Sequence, residues 1–64
     1  MAGGVVVGVL QRRHADRIVL RDGTEVFLPA KLAAGEFVIG SSLTVAYTVR
    51  KDGKKVADNI WRCR

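Results

Sequence analysis

Four arginines between residues 11 and 21 are the part of this sequence with the clearest chemical potential. They are Arg12, Arg13, Arg17 and Arg21. Only one acid, Asp16, falls in the same stretch, and guanidinium groups suit phosphates because each presents a planar fork of donors. The stretch therefore predicts a surface that binds successive phosphates along a nucleic-acid backbone. The alternative is a solvated face on which Arg21 lies near Asp22 and Glu25.

Phe27 is the second candidate, because strand alternation turns its ring outward if Val26 and Leu28 face a core. An outward ring suits base stacking, and Arg17 in the neighbouring strand could add a cation–π contact. The alternative is a partly covered ring that leans on Val19 and Arg17.

Three further side chains could contact a nucleic acid. Lys31 could add to phosphate capture. His14 could contact a phosphate or a base, although a lone histidine in a basic turn is more often simply solvated. Trp61 could stack on a base beside Arg62 and Arg64, or it could cap the open end of a barrel. We expect capping, since aromatic burial contributes much to a thin core.

No catalytic arrangement is visible in the sequence. Ser41 and Ser42 have no base positioned to activate them, His14 has no partner, and the acids are scattered among turns and edges. A single histidine and a single cysteine, Cys63, provide no zinc-ligand spacing. We therefore predict a protein that is not an enzyme and that uses no metal and no small-molecule cofactor.

Composition narrows the class of partner. A 64-residue chain predicts one domain, over residues 1–64, with a thin core. A net charge of +5 and a pI near 10.2 favour polyanions, although such a charge also serves solubility. Cys63 can form no intramolecular disulfide, which predicts a cytoplasmic location. The apolar opening lacks the features of a signal peptide or a membrane span, so we expect no membrane partner.

Five short segments have the residue pattern of β-strands. They are residues 5–10, 17–21, 24–28, 43–50 and 55–62. Pro29 closes the third segment, and residues 31–36 could form one helical turn that Gly35 ends. Gly8 suggests a bulge or bend that lets one long strand serve both halves of a barrel. The pattern predicts an all-β fold, a small five-stranded antiparallel barrel of the OB type.

An Asp-Gly turn sets the register of the second and third segments. A loop of residues 21–23, with its glycine in the left-handed conformation, pairs Ile18 with Val26 inward and Arg17 with Phe27 outward. This register separates an apolar face from a polar one. In the fourth segment, the inward face is expected to hold Leu43, Val45, Tyr47 and Val49.

Several short motifs follow one another along the chain in the same order as in a known family. A valine-rich strand follows Gly4, a basic turn occupies residues 12–14, and later motifs are Glu25-Val26-Phe27-Leu28 and Ala57-Asp58-Asn59-Ile60. In these features the chain resembles the cold-shock domains, whose corresponding motifs are Asp-Val-Phe-Val and Ala-Ala-Asn-Val. Its basic end, residues 60–64, is also similar to that of the bacterial translation initiation factor with a single OB domain.

The resemblance implies binding of single-stranded RNA or DNA, with bases stacked on aromatic side chains and phosphates bound by lysines and arginines. Phe27 matches a stacking aromatic of the third strand, and Arg13 matches a basic residue that opens the second. Val5 and Val7 stand where the family has lysines, which leaves an apolar outer surface. The family's other aromatic positions fall at or near Gly8, Ala15, Arg17, Pro29 and Ala30.

Losing three or four stacked rings, at about 1 to 3 kcal/mol per base, would weaken binding by several powers of ten. We therefore expect weak, salt-sensitive binding of single-stranded nucleic acid, RNA in preference to DNA. The residues expected to carry it are Arg12, Arg13, Arg17, Arg21, Lys31 and Phe27. The alternative is a protein-interaction or structural barrel that meets a second copy or another chain through the Val5 and Val7 face or a strand edge.

Overall fold

A computed structural model of the chain describes residues 2–32 and 37–62. Its strands are β1 (Ala2–Arg13), β2 (Arg17–Leu20), β3 (Glu25–Phe27), β4 (Ser42–Val49) and β5 (Lys55–Arg62). They close into a barrel in the order β1-β2-β3-β5-β4. The predicted all-β, five-stranded barrel of the OB type is confirmed. One detail differs: β3 and β5 pair in parallel, whereas the other neighbouring strands are antiparallel. Closure gives each of these strands two neighbours, but over part of its length: residues 2–9 of β1 pair with β4, and only Lys55 and Val56 of β5 pair with β3.

The core is built from apolar side chains that alternate toward the barrel axis. Its buried members are Leu10, Ile18, Leu20, Val26, Phe37, Leu43, Val45, Ala57 and Ile60. The predicted inward placement of Leu43 and Val45 on β4 is confirmed, because both are fully buried; Tyr47 and Val49 are half-buried, as are the other residues of this strand. Burial of these side chains supplies most of the driving force for so small a domain.

The β2–β3 hairpin has the predicted register. Ile18 pairs with Val26 and Arg17 with Phe27, and the first of these pairs is fully buried. The loop glycine, Gly23, has φ of 93°, a conformation that costs glycine little and other residues more. The amide of Gly23 donates to the carbonyl oxygen of Leu20 at 2.9 Å, which closes the three-residue loop.

The β4–β5 hairpin repeats this loop construction. Gly53 has φ of 86°, and its amide donates to the carbonyl oxygen of Arg50 at 2.9 Å. In both loops an aspartate Oδ1 accepts from the amide two residues later: Asp22 from Thr24 at 2.9 Å and Asp52 from Lys54 at 3.0 Å. The same local chemistry therefore fixes both turns.

The first strand serves both halves of the barrel, as predicted, but its bulge is not at Gly8. Strand β1 pairs with β4 as far as Val9, and the register with β2 shifts between Leu10 and Arg12. Position 8 requires a glycine for a different reason: a Cβ there would lie 3.1 Å from Cδ1 of Leu20. Close packing rather than a bulge therefore selects glycine at this position.

Strand β5 contains a second irregularity. Ala46 of β4 pairs with Asn59 while Tyr47 pairs with Ala57, so Asp58 is an extra residue in β5. The bulge lets Ala57 and Ile60 both face the core although three positions separate them.

The connection from β3 to β4 begins with a turn in which the amide of Leu32 donates to the carbonyl oxygen of Pro29 at 2.9 Å. Most of the predicted helical turn, residues 33–36, lies outside the described residues. No helix in the described part of the chain has the length and hydropathy of a membrane span.

Candidate nucleic-acid interface

The candidate interface is the outer side of β2, β3 and the end of β1. Cross-strand pairing places Arg12, Val19 and Glu25 in one row and Arg17 and Phe27 in the next. We call these residues the Phe27 wall. The side chains within each row point to the same side of the sheet, because directly paired residues share a face. The predicted outward placement of Phe27 and Arg17 is confirmed.

The ring of Phe27 is half-buried and lies close to two cations. Cζ of Arg17 is 5.8 Å from the ring centroid, which confirms the expected cation–π contact. Nζ of Lys54 is nearer, at 5.0 Å, and comes from the β4–β5 hairpin. An aromatic face with cations beside it can stack a base while the cations meet the adjoining phosphates.

Arg17 is also held by two carboxylates. Its Nη1 lies 3.0 Å from Oδ1 of Asp16, and its Nε lies 3.0 Å from Oε2 of Glu25. The solvated alternative placed Glu25 near Arg21, whereas the structure pairs this acid with Arg17. Exposed ion pairs contribute only about 0 to 1 kcal/mol each, so a phosphate can compete for the guanidinium. These contacts orient Arg17 beside the ring.

Arg13 lies apart from the Phe27 wall. It pairs with Ile18, whose side chain is fully buried, so Arg13 leaves the strand toward the inner side at the barrel rim. Its Nη1 donates to the carbonyl oxygen of Phe37 at 2.8 Å. The contact ties the β3–β4 connection to the end of β1. The structure thus separates Arg13 from Arg12, which the sequence treated as one cluster.

Three other predicted residues lie in connections around the wall. Arg21 is exposed in the β2–β3 loop, and its amide donates to the carbonyl oxygen of Val9 at 2.8 Å. His14 is exposed after β1, and its amide donates to the carbonyl oxygen of Arg17 at 2.8 Å. Lys31 is exposed in the turn that follows β3.

Trp61 faces outward on β5, and the expectation that it caps the barrel is wrong. Ile60 takes the inward position on β5, and Trp61 is 50% exposed. Trp61 pairs with Thr44 on β4, whereas Phe27 pairs with Val56, five residues earlier on β5. The two rings therefore lie in different rows of the sheet.

Lys54 was not among the predicted site residues, because the lysines of the β4–β5 hairpin tip were interpreted as parts of a solvated turn. Parallel pairing sets Val26 beside Lys55 and Phe27 beside Val56, so the residue before β5 reaches the β3 ring. The available signal was the strand order of an OB-type barrel, which places β5 next to β3. Residues 50–55, at the tip of this hairpin, contain one acid, Asp52, and four cations: Arg50, Lys51, Lys54 and Lys55.

Within the described residues, no three histidine, cysteine, aspartate or glutamate side chains group together as a metal site would require. The ring of Phe27 and the charged groups around it give the Phe27 wall the chemistry of aromatic stacking and charge pairing. The chain matches no protein family model, no curated protein and no solved structure.

Proposed function

We propose that the protein binds single-stranded nucleic acid, RNA in preference to DNA, on the Phe27 wall. The observation that carries the proposal is the half-buried outward ring of Phe27 with Arg17 and Lys54 beside it, at 5.8 and 5.0 Å. In this arrangement one base stacks on the ring. The guanidinium and ammonium groups, with that of Arg12, bind the phosphates on either side of that base.

One ring limits both affinity and sequence preference. A stacked base contributes about 1 to 3 kcal/mol, whereas a micromolar Kd corresponds to about 8 kcal/mol. The remainder has to come from phosphate contacts, which release counterions and carry no sequence information. Binding is therefore weak, nonspecific and sensitive to salt.

Charge and family likeness give further support. The chain has a net charge of +5, and four cations lie in or beside the β4–β5 hairpin that reaches Phe27. The preference for RNA rests on the resemblance to the cold-shock domains and to the single-domain initiation factor. A cytoplasmic location rests on the single cysteine, Cys63.

The direct test is a fluorescence-anisotropy titration of labelled RNA and DNA single strands of the same sequence at two salt concentrations. Phe27→Leu keeps an apolar side chain but removes the stacking surface, and Phe27→Tyr is the matched control because it keeps the ring. We expect Phe27→Leu to weaken binding about tenfold, within the range for one stacked base, and Phe27→Tyr to bind like the unchanged protein. Absence of binding at low salt, or equal binding by the leucine variant, would overturn the proposal.

One observation favours the second candidate, a protein-interaction barrel. Val5 and Val7 are 65% and 64% exposed on β1, on a side of the barrel that β4 and β5 share. Strands β2 and β3, which carry Phe27, contribute nothing to that side. Both functions can therefore belong to one molecule.

A further inference from the structure

A second aromatic side chain with a cation beside it lies near the β4–β5 hairpin. Nζ of Lys55 is 5.8 Å from the centroid of the Tyr47 ring. Tyr47 pairs with Ala57, which is buried, so the tyrosine leaves β4 on the inner side of the sheet. Lys55 pairs with Val26, which is also buried, so the lysine leaves β5 on that same side. The pair is therefore separate from the Phe27 wall, which faces outward.

The Tyr47 ring lies at an end of the barrel where the neighbouring residues of β1 are small. A Cβ at Gly4 would be 2.9 Å from the phenol oxygen and 3.1 Å from Cζ, so the glycine makes room for the ring. Ala2 is the next residue on the same side of β1, and it is exposed. Tyr47 itself is half-buried, as Phe27 is. Both rings thus keep part of their surface in water.

Two consecutive lysines connect the two rings. Lys54 reaches Phe27 at 5.0 Å on the outer face, and Lys55 reaches Tyr47 at 5.8 Å on the inner face. This division follows from strand geometry, because successive side chains point to opposite faces of a sheet. Within residues 2–32 and 37–62 neither lysine forms an ion pair, whereas Arg17 is held by two carboxylates. Both ammonium groups can therefore bind a phosphate without displacing an acid.

We propose that Tyr47 and Lys55 form a second nucleotide position for the same single strand that binds the Phe27 wall. The inference rests on the proposed function, because the strand has to be held at Phe27 first. From there its backbone passes Lys54 and Lys55 beside the β4–β5 hairpin, and each lysine binds a phosphate. A later base of the strand then stacks on the Tyr47 ring.

The separation of the two rings sets the length of strand that can occupy both. Phe27 pairs with Val56, and Val56 pairs with Thr48, the residue after Tyr47. Two strand spacings of about 4.8 Å therefore put the two aromatic residues about 10 Å apart in the sheet. Nucleotides of a stacked strand advance about 3.4 Å each, and the two rings also face opposite sides of the sheet. A dinucleotide is too short to reach both, whereas a hexanucleotide reaches both and gains affinity from the second, intramolecular contact.

Chemical-shift titrations of the labelled protein with a single-stranded RNA dinucleotide and hexanucleotide, at low salt, test the proposal. Tyr47→Leu removes the ring, and Tyr47→Phe is the matched control because it keeps the ring. We expect Tyr47→Leu to raise the Kd for the hexanucleotide about tenfold and to leave the Kd for the dinucleotide unchanged. Tyr47→Phe should bind both like the unchanged protein. In the unchanged protein, the ring signals of Tyr47 should shift with the hexanucleotide and stay constant with the dinucleotide.

Failure of this proposal can be distinguished from failure of the proposed function. If Phe27→Leu weakens binding of both ligands but Tyr47→Leu changes neither, the second position is overturned and the Phe27 wall stands. Equal weakening of both ligands by Tyr47→Leu, or Tyr47 ring signals that stay constant with the hexanucleotide, would overturn it as well. Should the unchanged protein bind neither ligand at low salt, both proposals are wrong.

Discussion

The ammonium group of Lys54 lies 5.0 Å from the centroid of the Phe27 ring and so joins the β4–β5 hairpin to strand β3. Arg17 reaches the same ring from β2, with its Cζ at 5.8 Å. Cations from two separate elements thus converge on the one aromatic side chain of the Phe27 wall. The parallel pairing of β3 with β5 is what brings them together.

Replacement of Lys54 by glutamine is expected to weaken binding of single-stranded RNA several-fold. The slope of log K against log salt should fall by about 0.7, the value for one lost phosphate contact on a single strand. Lys51→Gln is the control, because Lys51 belongs to the same hairpin and its removal changes the net charge equally. Titrations at several salt concentrations measure both quantities. Equal losses in the two variants would show that only net charge matters.

Replacement of Glu25 by glutamine is expected to strengthen binding about two- to fivefold. Glu25 holds Nε of Arg17 at 3.0 Å and competes with phosphate for it, at the scale of an exposed ion pair, about 0 to 1 kcal/mol. Asp58→Asn makes the same change in net charge beyond the Phe27 wall, on β5. Anisotropy titrations should show a larger gain for Glu25→Gln. A loss of affinity would mean that the ion pair positions Arg17 for binding.

The parts of the fold that local turn chemistry determines could be predicted from the sequence. The Asp-Gly turn and the alternation of apolar and polar residues on either side of it determine the register of β2 against β3. They do so because the loop and both strands are contiguous in the sequence. The pairing of Arg17 with Phe27, and hence the outward ring, follows from that register. The part of the candidate site formed by Arg17 and Phe27 could therefore be predicted from the sequence.

The remaining features depend on contacts between distant segments. The bulges at Gln11 and Asp58 shift strand parity, which sends Arg13 to the inner side and Trp61 to the outer wall. The bulge was predicted at Gly8 because the actual reason for a glycine there cannot be recognised locally. That reason is the close approach of Leu20, which lies on another strand. No short-range pattern specifies these placements, since packing of the closed barrel decides them.

Replacement of Gly8 by alanine is expected to destabilise the fold by about 1 to 3 kcal/mol. The added Cβ would lie 3.1 Å from Cδ1 of Leu20, so this fully buried side chain would have to shift by a few tenths of an ångström within the core. In a Leu20→Ala background the same change should cost little, because the closest atom, Cδ1, and Cγ are gone and only the Leu20 Cβ remains, at an ordinary contact distance of 3.4 Å. Urea unfolding of the four proteins of this double-mutant cycle measures the coupling. An equal cost in both backgrounds would contradict the assignment.

Asp22 should make stability depend on pH at acidic values. The amide of Thr24, followed by its hydroxyl, donates to the carboxylate and holds the pKa of Asp22 below its ordinary value of 3.8. Because the folded-state pKa is the lower one, this contribution is fully present above pH 3.8 and is lost as pH falls through the folded pKa. An NMR titration of the carboxyl group measures it. Thr24→Val should move the midpoint back toward 3.8, and a midpoint above 3.8 in the unchanged protein would contradict the hydrogen bonds.

The most direct test of the Phe27 wall as a nucleic-acid surface is an amide chemical-shift titration of the labelled protein with a short single-stranded RNA. At low salt, the largest shifts are predicted at Arg17, Phe27 and Lys54. They should fade as salt is raised, while the amides of Val5 and Val7 stay unchanged. No shifts at low salt, or shifts confined to Val5 and Val7, would contradict the assignment of a polyanion to this wall.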